Sequence, residues 1–89
     1  MVKTKEKLKH YSPSAAAVIQ FGGVNELARL LGIAGSNVSR WRTSPHTGGM
    51  IPNTYYGKIL ELAKELGVDF TAEDIVNGKV LPVTADRKY

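Results

Sequence analysis

The sequence predicts an all-α fold, a compact bundle of about five short helices. Three observations carry this. Eighty-nine residues with 43% hydrophobic content fit one small domain, with core enough for four or five helices. Apolar residues recur at helical spacing in two segments, around Val24–Leu31 and Ile59–Leu66. Glycines close the helical segments at Gly22, Gly32, Gly67 and Gly78. The expected division is a flexible basic arm over residues 1–11, a helical domain over 12–78 and a tail over 79–89.

The opening "MVKTKEKLKHY" has only Val2, Leu8 and Tyr11 as apolar content, too little to offset the entropy of ordering it. It reads as an arm, although the alternating lysines also fit a short edge strand. In "SPSAAAVIQFGG", Ser12 can cap a helix and Pro13 sits at its first position, where the missing N–H costs nothing. Ala15 to Phe21 form the first helix.

Val24, Leu27, Ala28 and Leu31 lie one and two turns apart and define the inner face of the second helix. Ile33 follows as a core plug. A third helix starts near Gly35 or Ser36 and runs to about Thr43, with Val38 and Trp41 inward. "TSPHTGGMIP" is a loop by composition. From Asn53 the pattern is helical again, with Tyr55, Ile59, Leu62, Ala63 and Leu66 as an inward stripe. Tyr55 and Tyr56 are adjacent, so one points in and the other out. In "FTAEDIVNG", Thr71 and Asp74 stand in capping-box relation at the start of a short fifth helix. The tail "KVLPVTADRKY" contains Pro82 and is at best an edge strand.

Composition narrows the function. Without cysteine there is no disulfide and no thiol nucleophile or ligand, which fits a cytoplasmic setting. No apolar run approaches membrane-spanning length, and the lysine-rich start lacks the apolar block of a signal peptide. His10 and His46 have no ligand cluster nearby, so no metal site and no cofactor are expected. Glu61, Glu65, Glu73 and Asp74 fall on exposed helical positions without an apolar cleft, and no small-molecule ligand is evident. An enzyme is not expected. Net charge is +4, unevenly spread. Residues 1–43 hold seven Lys and Arg against Glu6 and Glu26, net +5; residues 44–89 hold five against six, net −1. A basic half beside a near-neutral one suits a protein with one polyanion-facing side.

The joint between the second and third helices is the most informative stretch. For two helices to cross steeply through a short turn, the residue at the crossing must be small, as Ala28 is. The first turn residue needs positive φ, which Gly32 supplies cheaply. The second helix must set apolar groups one turn apart against the first, as Val38 and Trp41 do. These are the requirements of a helix-turn-helix.

From about Ala16 to Leu66 the chain resembles the small all-α DNA-binding domains of the Cro and phage-repressor type. "FGGVNELARLLGIAGSNVSRW" is similar to Cro-like regulators with a G-I-x-x-x-x-V-S-x-W turn, and "GGMIP" and "LAKELGVDFTAEDIV" to small phage-borne members. One departure is that Ala34 and Gly35 stand where relatives often place a Ser or Thr cap and a polar contact residue. This departure leaves two starts for the third helix, near Gly35 or one residue late at Ser36.

The resemblance implies sequence-specific binding of double-stranded DNA by a phage or prophage transcription regulator, a Cro-like repressor reading the major groove with its third helix. With Val38 and Trp41 inward, steps of 100° put Ser36, Ser39, Arg40 and Thr43 outward, with Asn37 and Arg42 on the flanks. Ser36, Asn37, Ser39 and Arg40 are the expected base-contacting residues, Arg40 as the long donor for a guanine. Asn25 at the start of the second helix, Arg42, Thr43, Thr47 and Gly48 are the expected phosphate contacts. An exposed tyrosine of the Tyr55–Tyr56 pair could add another. Trp41 belongs to the core by its phase.

The lysine arm is either a solvated tail or an arm that follows the backbone or enters the minor groove. A chain this short has no room for an effector domain, so regulation is expected from occupancy. A single domain reads few base pairs, so a homodimer on a pseudo-palindromic site is expected. The fifth helix and Val80, Leu81 and Val83 are its candidate surface, since they have no evident place in the core. The competing reading is an antitoxin-like or phage accessory protein that uses the same fold to bind another protein.

Overall fold

A computed structural model describes residues 7–43 and 48–83. Its elements run β1 (Leu8–Tyr11), α1 (Pro13–Phe21), α2 (Val24–Leu31), α3 (Gly35–Thr43), a single 3-10 turn (Asn53–Tyr55), α4 (Tyr56–Leu66), α5 (Ala72–Asn77) and β2 (Lys79–Pro82). Among the described residues the fold is mostly helical, with five α-helices and a small two-stranded sheet.

α1 is the central helix. Ser12 caps it, its Oγ accepting from the Ala15 N–H, and Pro13 opens it. Seven of its nine residues are buried. It touches α2, α3, α5 and both strands, and Phe21 meets the Phe70 ring edge-on at 6.1 Å. Gln20 also donates to the Asp69 carbonyl, tying α1 to the segment before α5. Around α1 gather Leu27, Ala28, Val38, Trp41, Ile51, Ile59, Leu62, Ala63, Phe70 and Ile75.

Two segments near the limits of the described residues add a small sheet to the helical bundle. Residues 8–11 are not an arm: they pair antiparallel with Lys79–Pro82, in the register Leu8↔Pro82 to Tyr11↔Lys79. Tyr11 is buried, and its hydroxyl donates to the Val83 carbonyl. Leu81 likewise joins the core, and Val83 is half-buried with its N–H bonded to the Lys7 carbonyl. The edge-strand reading of both segments therefore holds, and Leu81 and Val83 have a place after all. Each strand is only four residues long, and pairing supplies the hydrogen bonds neither could satisfy alone. Residues 1–6 of the expected arm lie outside the described residues.

α5 sets the entry to this ribbon. Thr71 and Asp74 form the capping box reciprocally. Asp74 also meets the Lys79 ammonium at 3.3 Å. Burial works to raise the Asp74 carboxyl, but the Thr71 backbone N–H and Lys79 outweigh it and leave it below its ordinary range. Burial likewise works to lower Lys79, and Asp74 and Asp69 more than offset it, so its ammonium is held above its ordinary value. Gly78 then turns into β2 with φ +84°, and a Cβ there would lie 2.1 Å from the Tyr11 carbonyl oxygen. Only glycine lets the strands meet here.

Two smaller expectations fail. Leu66 keeps the helical phase of the inward stripe but is 55% exposed. Tyr55 and Tyr56 do not divide into one inward and one outward ring; both are half-buried against the core. The 3-10 turn that precedes α4 changes the helical phase between them.

Candidate nucleic-acid interface

α2 positions everything that follows. Leu27 and Ala28 are its buried residues, with Val24 and Leu31 half-buried on the same face. The helix stops at Gly32 with φ +73°, whose N–H returns to the Ala28 and Arg29 carbonyls. The Ile33 N–H also bonds to the Ala28 carbonyl, at 3.0 Å. The chain thus turns in three residues, and α3 begins at Gly35 packed on α2.

Of the two expected onsets, Gly35 and Ser36, this is the earlier. The Asn37 N–H bonds to the Ala34 carbonyl at 3.0 Å, which brings Gly35 into the first turn. Gly35 also leaves room for a neighbour: a Cβ on it would lie 2.8 Å from Asn25 Oδ1. The beginnings of α2 and α3 therefore sit side by side, with the Asn25 side chain against Gly35. Spacing alone does not signal this contact, since the two residues lie on different helices.

Val38 and Trp41 are the two buried residues of α3. Trp41 lies 5.1 Å from the Tyr55 ring, so the 3-10 turn is the wall it packs against. The remaining phase follows from these two. Ser36, Ser39, Arg40 and Thr43 are exposed, and Asn37 and Arg42 are half-buried on the flanks. The outward face carries no acidic residue. Arg40 and Arg42 also complement the negative end of the α3 dipole, a purely structural benefit of ~0.3–1 kcal/mol at an exposed position.

Several of the expected contact residues have partners within the chain. Arg40 Nη1 donates to Asn37 Oδ1 at 3.5 Å. The Thr43 hydroxyl donates to the Ser39 carbonyl at 3.1 Å, so in the free protein its one proton is turned back to the helix.

Around the start of α2 the electrostatics are mixed. Its N-cap is Gly23, so no side chain caps the opening N–H groups, and Asn25 beside them is exposed. Glu26 adds a negative charge there, but Arg29 one turn on pairs with it. The hydrogen bond from Arg29 holds the Glu26 carboxyl below its ordinary value. The start of α1 differs: Ser12 accepts from Ala15, and the Ser14 N–H donates to the Gly49 carbonyl at 2.9 Å. That bond anchors the far end of the loop after α3 on α1. Gly48 is exposed beside it, while Thr47 lies outside the described residues.

The arrangement brings Ser36, Asn37, Ser39, Arg40 and Thr43 onto one helix surface, with Asn25 at its N-terminal end and Arg42 on its flank. Chemically it is a field of neutral donors and acceptors around arginine. No protein-family model, no curated protein and no solved structure matches the chain.

Proposed function

We propose that this chain binds double-stranded DNA sequence-specifically through α3, as a cytoplasmic, Cro-like phage or prophage transcription regulator acting as a homodimer. In this reading α2 and α3 are a helix-turn-helix. The observation that carries it is the sidedness of α3: nine residues bury only Val38 and Trp41, and the exposed remainder carries Ser36, Ser39 and Arg40 without an acidic residue. A major groove admits one helix, and an arginine fork fits the O6 and N7 acceptors of guanine. The uncapped start of α2 and Asn25 would meet a phosphate, with Arg42 and Gly48 further along the backbone.

Leu8 and Val80 share the outer face of the ribbon by register and are 66% and 53% exposed, which makes that face the proposed dimer surface. Regulation follows from occupancy, by covering the polymerase site or touching the polymerase.

Selection of bound sites from a random duplex pool tests this directly. The expected product is a pseudo-palindrome with half-sites about one helical turn apart. Its affinity should fall steeply as salt rises, because neutralising phosphates releases counterions. An unenriched pool together with salt-independent binding would make the chain a protein-interaction module instead.

A further inference from the structure

We propose that Asn37 and Arg40 read DNA as one coupled unit: Asn37 aims the guanidinium at a guanine and recognises an acceptor on the adjacent base. This rests on the DNA-binding reading above and names what its central site selects.

Asn37 carries the only side-chain carbonyl in α3, one turn from Arg40 on the exposed surface. Arg40 Nη1 donates to its Oδ1 at 3.5 Å. A guanidinium has five N–H donors and no acceptor, so the amide must present its oxygen there, and its orientation is settled by chemistry. Asn37 is half-buried whereas Arg40 is exposed, so the less mobile partner holds the longer one. Holding that side chain before binding reduces the conformational entropy lost in the complex.

The consequences for base choice follow from what each group has left. Arg40 keeps four N–H donors, enough for the two-pronged contact to O6 and N7 of guanine. Asn37 keeps its two amide donors, and its oxygen keeps a second lone pair beside Arg40. The amide donors reach the acceptors of the major groove: N7 of either purine, O6 of guanine or O4 of thymine. Cytosine presents only its N4 donor there and leaves both amide donors unmet. The pair selects guanine next to a base that presents an acceptor, with cytosine the least favoured neighbour.

The test measures equilibrium affinity of the full chain for its selected duplex and for duplexes changed singly at these two base pairs. The parent, Asn37→Ala, Asn37→Asp, Arg40→Ala and the Asn37→Ala/Arg40→Ala double variant are compared. The parent should favour guanine by about 5- to 160-fold, the range of a two-pronged contact. Asn37→Ala should shrink that preference, and the double variant should lose little more than Arg40→Ala alone, the signature of coupled residues. Asn37→Asp keeps an oxygen for Arg40 and offers the other to N4, so guanine should stay preferred while the adjacent choice turns to cytosine. Full guanine preference in Asn37→Ala, or additive losses in the double variant, overturns the coupling. A parent that binds every duplex alike overturns the DNA reading itself, and the two failures are told apart by the parent alone.

Discussion

α1 and α3 are both nine residues long, and they hold opposite positions in the molecule. α1 buries seven of its residues at the centre of the bundle; α3 buries two. Each large apolar side chain taken from water contributes about 1.5–3 kcal/mol, so Val18, Ile19 and Phe21 make α1 a pillar of the fold. α3 is held in place by Val38, Trp41 and the turn at Gly32, and the rest of it adds little to the core. Such a helix is presented rather than packed. Stability and function should therefore separate cleanly between the two.

The largest expected effect tests the α1 side. Phe21→Ala removes a buried ring and its edge contact with Phe70 and should cost about 3–5 kcal/mol in denaturant unfolding. A loss below about 1 kcal/mol would mean that α1 is not the pillar. Next comes the seam between α2 and α3. Ala28 is 3% exposed where α2 meets its neighbours, and Ala28→Leu should cost about 1–3 kcal/mol by overpacking. Unchanged thermal stability would remove Ala28 from the crossing.

On the α3 side the expectation inverts. Arg40→Ala should leave stability within about 1 kcal/mol yet cost about 1–3 kcal/mol of binding to the selected duplex. Equal weakening on all sequences would place Arg40 on phosphate. Arg42→Ala should weaken selected and random DNA alike and lower the salt slope by about one unit per protomer. Sequence-dependent losses would move Arg42 to the base edges.

The smallest effect concerns α5, whose ionic cap contrasts with the neutral residues that open α3. Because the folded Asp74 carboxyl lies below its ordinary value, its contribution is full at neutral pH and fades as pH falls through that lowered value. Asp74→Asn should thus be less stable than the parent near pH 7, by about 1 kcal/mol, with the gap closing in strong acid. A pH-independent gap in melting temperature would show that the cap works by geometry alone.

Much of this contrast is legible in the linear sequence because it depends on local periodicity. The inward pair Val38 and Trp41 sets the outward phase of Ser36, Ser39 and Arg40, and Ser12–Pro13, Gly32 and the Thr71–Asp74 pair mark helix ends through bonds within a few residues. The start of α3 is less legible, since Gly35 is a poor helix signal and its place depends on Asn25, ten residues earlier on another helix.

What the sequence determined by itself was written within one or two helical turns: which segments are helical, where they stop, which face of α3 looks outward. Tertiary structure alone decided the pairing of residues 8–11 with 79–82, the burial of Tyr11 and Leu81, the exposure of Leu66 and the contact of Asn25 with Gly35. The physical reason is range. A helix closes its hydrogen bonds on its own neighbours, so its signal is local. A two-stranded ribbon closes them across most of the chain, and a side chain is buried only if some distant element covers it.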